Sequence, residues 1–416
     1  MSVSYGEMFR VFGRIGLLSF GGPAAQISLM HEELVDKRRW LDEPQFLGAL
    51  SFCMLLPGPE AMQLATFAGW RLRGIPGGLI AGLLFVLPGA LVIAALALGY
   101  AQFGGVPLVQ ALFVGIKAAV VAIVLQALLK LSRKALTQGD HWVLAGLAFV
   151  AMFALSVPFP IVIACAAFWG ALRSGSADRA PPLPTHHAPP PGRTALVAAV
   201  WLALWMAPVL WAWTVEARFL LDLGLFFSKL AVVTFGGAYA VLAYMTQAVV
   251  DTHGWLTPEQ MIDALGLAET TPGPLILVTE FVAILSGYLQ GGPGLALTAG
   301  AFVLWVTFVP CFLWIFAAAP YVDALLHRPR LKGALAGISA AVVGVILNLS
   351  VWFALHVLFG DIHATRFGPL PELSSFAPLS AALVVLAAVF LLVMRLPMLS
   401  VLGLMAALAA IASIFG

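Results

Sequence analysis

The chain has 416 residues, of which 62% are hydrophobic and only 10% charged, with a formal net charge of +2. A soluble domain carries roughly 25% charged residues, so this chain cannot cover its own surface with charge and belongs in a lipid bilayer. The near-neutral balance argues against a nucleic-acid partner, and Cys53, Cys165 and Cys311, scattered through apolar sequence, fit core positions better than a disulfide or a metal site.

About twenty apolar residues span a bilayer core. Thirteen segments qualify: 8–30, 45–70, 76–101, 107–130, 141–156, 158–173, 194–214, 219–247, 258–289, 294–320, 331–356, 377–394 and 396–416. The predicted fold class is therefore an all-α membrane protein with about 13 transmembrane segments grouped six, one, six. No cleavable signal is expected, because residues 1–14 lead into a glycine-broken segment and not into a compact apolar core.

The first two segments carry helix breakers. Segment 8–30 breaks at Phe20-Gly21-Gly22-Pro23, with Gln26 one turn beyond. Segment 45–70 breaks at Pro57-Gly58-Pro59. Pro57 stops the helix before it, Gly58 permits a turn, and Pro59 suits the start of a new helix through Glu60 and Gln63. The same series returns 215 residues later: Phe235-Gly236-Gly237 for Phe20-Gly21-Gly22, Trp255-Leu256 for Trp40-Leu41, and Pro272-Gly273-Pro274 for Pro57-Gly58-Pro59. The chain is a duplication, with a first repeat at 1–173, a linker at 174–193, a connecting span at 194–214 and a second repeat at 215–416.

Between the repeats, SGSADRAPPLPTHHAPPPGR (174–193) holds six prolines and reads as an extended linker. The paired His186-His187 reads as polar filler there; no metal and no cofactor is expected. With the N-terminus inside, fourteen lysines and arginines fall on the inside and five outside; Lys117 and Lys229 lie within spans. This places the N-terminus and the linker in the cytoplasm and the C-terminus outside. The single span 194–214 then turns the second repeat over, giving an inverted-topology repeat with broken or re-entrant helices. Lys37, Arg38 and Arg39 fall outside in this arrangement. Two re-entrant hairpins at 8–30 and 45–70 would return them inside and leave all later assignments unchanged.

Irregular backbone at membrane depth must be buried in protein or line a cavity. Each new half-helix offers unpaired amides and a positive dipole end at its N-terminus, which together suit an anion. The substrate-site residues predicted on this basis are Gly21, Gly22, Pro23, Gln26, Pro57, Gly58, Pro59, Glu60, Gln63, Gly236, Gly237, Thr270, Thr271, Pro272, Gly273 and Pro274. Candidates for charge or proton coupling are Glu60, Lys117, Lys229, Glu269 and Glu280, with Asp263 and Asn348 as further polar positions at membrane depth. Plain structural roles compete at several of these positions: dipole capping by Glu60, helix bridging by Gln26 and Gln63, and snorkelling by Lys229. No catalytic cluster and no phosphate-binding GxxxxGK[ST] loop is present, so neither an enzyme nor direct ATP coupling is expected.

FGGPAAQ at 20–26, RRWLDEPQF at 38–46, LPGPEAMQLATFAGW at 56–70, FGGAYAVL at 235–242 and TTPGPLILVTEFVA at 270–283 resemble the chromate ion transporter family in its long, two-domain form. The resemblance implies a bacterial inner-membrane exporter of chromate that confers resistance, built from two domains of opposite topology. It implies an oxyanion and the lipid bilayer as partners, and leaves a homodimer open. Ala238 stands where the first copy has Pro23. A sulfate or other oxyanion carrier and an anion channel are the competing functions.

Overall fold

The computed structural model describes residues 3–174, 190–235, 238–322, 328–365 and 368–415. Among them, five helices are long and apolar enough to cross a membrane, and four shorter apolar helices accompany them. The protein is thus an all-α membrane protein. By contacts the chain divides into two compact units, each drawing on both sequence repeats: Met1–Leu98, Ser174–Ala238 and Thr271–Lys332 in unit 1, and Gly99–Arg173, Tyr239–Thr270 and Gly333–Gly416 in unit 2.

Unit 1 begins with α1 (Tyr5–Leu18), capped by Ser4, whose side chain accepts from the Glu7 amide. Its buried Met8, Val11, Phe12 and Ile15 form one apolar face. The helix stops at Ser19, and α2 (Gly22–His31) starts after Gly21, with Pro23 in its first turn. The chain folds back at this break. Glu33, beyond α2, comes within 3.9 Å of Arg14 on α1, and Trp40 lies against Phe12 with ring centroids 6.2 Å apart. Then α3 (Glu43–Cys53) opens with a capping box between Asp42 and Gln45 and ends ahead of Pro57.

The following helix, α4 (Glu60–Phe103), is a hairpin of two arms, because Arg73 and Gly74 have non-helical backbone and Gly74 is at φ +63°. The arms touch through glycines: a methyl group at Gly69 would sit 2.3 Å from the Gly77 carbonyl oxygen, and one at Gly77 would sit 2.3 Å from that of Gly69. Small residues let two helix backbones approach this closely inside a membrane. Phe52 near the end of α3 meets Phe67 in the first arm, centroids 5.7 Å apart, so the chain reverses at Pro57-Gly58-Pro59 as well. Arg73 Nε donates to the Val3 carbonyl at 2.6 Å, which sets the start of α1 beside the hairpin turn.

The described helices α5 (Pro107–Ala135), α6 (Gly139–Phe153) and α7 (Phe159–Arg173) belong to unit 2. Unit 1 resumes with α8 (Pro191–Thr214), which starts inside the predicted linker; of 174–193, only Ser174 and 190–193 are among the described residues, and His186 and His187 lie outside them. After α9 (Arg218–Val233), Gly236 and Gly237 lie outside the described residues. Of the next two helices, α10 (Ala238–Gln247) and α11 (Pro258–Glu269), the second opens with a capping box between Thr257 and Gln260, the counterparts of Asp42 and Gln45. Then α12 (Val278–Ala318) repeats the hairpin of α4, turning at Gly291 and at Gly292, whose φ is +74°.

Positions 215 residues apart make equivalent bonds. The Trp40 amide donates to the Leu34 carbonyl at 2.8 Å, and the Trp255 amide to the Val249 carbonyl at 2.9 Å. Ser19 Oγ donates to the Ile15 carbonyl and Thr234 Oγ1 to the Leu230 carbonyl, both at 2.6 Å.

Unit 2 is built on α5. Its small face, Ala118, Ala119 and Ala122, packs against α14 (Pro378–Ala388) and α15 (Met398–Phe415). Between these and α13 (Pro329–Leu358) lies an antiparallel hairpin, β1 (Ile362–Thr365) with β2 (Gly368–Pro371), in a segment for which the sequence suggests no element.

Candidate functional site

In unit 1 the first copy's two breaks and the second copy's 271–276 stretch meet around a small pocket of about 30 Å³. Pro23, Gln26, Gly58, Pro59, Glu60 and Pro274 line it, together with Cys53 and Thr234. Five residues predicted from sequence in the first copy therefore share one pocket with one from the second.

Two main-chain bonds cross between the copies. The Gly58 amide donates to the Thr234 carbonyl at 2.8 Å, and the Gly273 amide donates to the Ser19 carbonyl at 2.9 Å. Thr234 and Ser19 are themselves 215 residues apart, as are Gly273 and Gly58, so each copy gives the other the same bond. Both glycines have positive φ, +121° at Gly58 and +89° at Gly273, a region L side chains rarely adopt. These two amides are thus engaged by protein carbonyls. The first turn of the arm starting at Glu60 also borders the pocket, through Glu60 and Ala61.

The two glutamines serve the backbone. Gln26 is 1% exposed, and its Nε2 donates to the Ser19 carbonyl at 3.2 Å and to the Gly273 carbonyl at 2.6 Å. Gln63 Nε2 donates to the Pro57 carbonyl at 2.6 Å, while its buried Oε1 has no partner among the described residues. Gly21 caps α2 in a left-handed conformation, and Gly22 follows at φ +79°. Thr271 and Pro272 are buried. A methyl at Gly89 would sit 2.2 Å from the Pro272 carbonyl oxygen, so the second arm of α4 runs directly under the Pro272-Gly273-Pro274 turn.

The predicted coupling residues divide between the two units. Glu60 lines the pocket, in the first turn of its arm. Glu280 is 3% exposed near the start of α12, and its Oε2 has no partner among the described residues. Lys229 sits on the exposed face of α9 and is not among the residues lining the pocket. In unit 2, Tyr239 donates its hydroxyl to Glu269 Oε1 at 2.7 Å, and Thr270 caps α11 by donating to the Leu267 carbonyl at 2.7 Å. Lys117 pairs with Asp263. Asn348 borders a separate polar cavity of about 340 Å³ with Thr246, Gln247, Asp251 and His356. Among the described residues, no group of three or more His, Cys, Asp or Glu is placed to hold a metal ion.

Sequence reasoning missed Ser19 and Thr234, whose carbonyls accept the crossing bonds. The signal was present: a hydroxyl residue precedes FGG in both copies.

The pattern of the chromate transporter family matches residues 6–171 and again 221–412. The chain is 36% identical over 362 residues to a chromate transport protein of Pseudomonas aeruginosa, covering 83% of this chain and 80% of the relative. A chromate transport protein of Cupriavidus metallidurans is 31% identical over 360 residues, covering 84% and 82%. An uncharacterized transporter of Bacillus subtilis is 29% identical over 168 residues, which is 94% of that protein but 40% of this chain, the size of one repeat. No solved structure matches the chain. With the family pattern present once in each half and breaks that exchange equivalent bonds, this protein belongs to the chromate transporter family.

Proposed function

We propose that this protein carries chromate out of the cell across the bacterial inner membrane, by alternating access about the pocket between the helix breaks, and so confers resistance. The observation that carries this reading is the reciprocal pair of bonds, Gly58 to Thr234 and Gly273 to Ser19. It ties the irregular backbone of both copies into one structure, with a pocket at the start of a half-helix. The positive dipole end of that half-helix favours a small oxyanion without requiring a lysine or arginine.

In this reading the fold-backs at 19–22 and 54–59 are re-entrant hairpins entered from the cytoplasm, and the second repeat presents the same device from the other face. The second arms of α4 and α12 and the other apolar helices are the true crossings. Lys37, Arg38 and Arg39 return to the cytoplasmic side and join the inside-positive majority. Chromate is a dianion, and an interior-negative potential favours its exit by about 2.3 kcal/mol per elementary charge per 100 mV.

Flux into proteoliposomes tests the reading. Saturable chromate uptake stimulated by internal chromate is the expected result, and sulfate competition measures the selectivity. Flux that stays linear with concentration and shows no counterflow would identify a channel.

A further inference from the structure

Unit 2 holds an ion pair within apolar helices that the pocket does not use. Lys117 Nζ of α5 lies 3.6 Å from Asp263 Oδ1 of α11, and Tyr100 donates its hydroxyl to Asp263 Oδ2 at 2.7 Å. The Asp263 side chain is 5% exposed and that of Lys117 22%. One residue before Lys117, Ile116 closes on the glycine of the facing helix: a methyl at Gly266 would sit 2.3 Å from Ile116 Cγ2. The pair therefore stands beside a close approach of α11 to α5.

Stability alone is a poor reason to keep such a pair, since a buried ion pair contributes little net over apolar residues of the same volume. Ionisable residues within spanning segments mark function by default. The fold does not require it either, because the first repeat has Gly48 at the position equivalent to Asp263. What distinguishes α11 is its C-terminal end, which runs through Glu269 and Thr270 into the second copy's break.

We propose that Lys117 and Asp263 are positioning residues for transport: with Asp263 ionised they hold α11 against α5, and a proton taken up by Asp263 Oδ1 releases the helix. This rests on the transport reading above. Oδ1 has no hydrogen-bond partner among the described residues, so protonation there breaks no hydrogen bond while it removes the charge that Lys117 faces. The carboxylate becomes a carboxylic acid, the lysine stays an ammonium, and Tyr100 keeps its bond to Oδ2. Glu259, one turn earlier on α11, is the further charged side chain on that helix.

The test uses hydrogen exchange of residues 258–269 in the full-length purified protein, read beside chromate flux across a range of pH. Wild type should exchange several-fold faster over 258–269 as pH falls. D263N should exchange fast at every pH and transport without a pH response. The K117M/D263N variant has no unpaired charge, should fold like wild type, and should also lose the pH response. Exchange in wild type that ignores pH, or a wild-type pH profile of flux in the double variant, overturns the proposal. A pH-dependent exchange in a protein that moves no chromate would keep the latch and remove the substrate assignment.

Discussion

Gly58 and Thr234 are joined by a main-chain hydrogen bond of 2.8 Å, and their equivalents Gly273 and Ser19 by one of 2.9 Å. A reciprocal exchange of this kind is what a local two-fold relation between two copies produces, as in an isologous interface. It also gives the positive-φ glycines a double duty. Each turns the chain out of one helix and spends its amide on the other repeat's break.

The first expected outcome concerns Gly58. A methyl there would lie 2.9 Å from Gln63 Nε2 and 3.0 Å from Cys311 Sγ, and a left-handed non-glycine residue costs about 1–3 kcal/mol. Gly58→Leu and Gly273→Leu should insert in the membrane at normal levels and lose chromate export by more than about tenfold, as the strain reaches the site itself. Wild-type resistance in cells carrying either variant contradicts the account of the break.

Gln26 ties Ser19 and Gly273 together through one buried amide. Gln26→Leu keeps the volume and leaves two buried carbonyls short of a donor, a loss of about 1–3 kcal/mol. The melting temperature in detergent should fall, and Gln26→Glu should fall further, since a carboxylate oxygen would then face two carbonyl oxygens. An unchanged melting temperature in both variants means that Gln26 does not staple the breaks.

The breaks were legible in the sequence because glycine and proline act locally. Nothing beyond Pro57-Gly58-Pro59 is needed to see that α3 must end there. Whether the chain continues or folds back was not legible, since that depends on distant contacts such as Phe12 with Trp40 and Phe52 with Phe67. Lys117 was recognisable as a lysine in need of a partner, but Asp263 sits on a helix of the other repeat, and no spacing rule connects them. The β1–β2 hairpin was invisible for another reason: it is two four-residue strands with prolines at Pro369 and Pro371, too short for any alternation to register.

Glu280 offers a test of whether a candidate site residue is kept at the expense of stability. The residue is 3% exposed, with Oε2 lacking a partner among the described residues. Burying such a group costs about 1–3 kcal/mol on protein mutational scales. Glu280→Met is apolar and of similar length, so it should raise the melting temperature while lowering transport, the exchange expected at a functional position. A lower melting temperature would contradict this exchange of stability for function.

His31 supplies a pH dependence outside the spans. Its Nε2 lies 2.6 Å from Glu43 Oε2 and its Nδ1 3.3 Å from Asp36 Oδ2. With both ring nitrogens facing carboxylates, the hydrogen bond to Glu43 leads in raising the imidazole above its ordinary value; burial opposes it, and Coulomb attraction to Glu43 and Asp36 adds to it. Because the folded state favours the protonated ring, the stabilisation is complete below the ordinary value of about 6.5 and is lost as pH rises through the raised folded value. The side chain is 29% exposed, so the effect should stay below about 1 kcal/mol. Thermal denaturation of wild type should therefore show a shallow decline in melting temperature on the alkaline side of 6.5, and His31→Gln should flatten it. The same slope in the variant would assign the pH dependence to another group, and the doubly carboxylate-bound ring would have no part in holding α2 to α3.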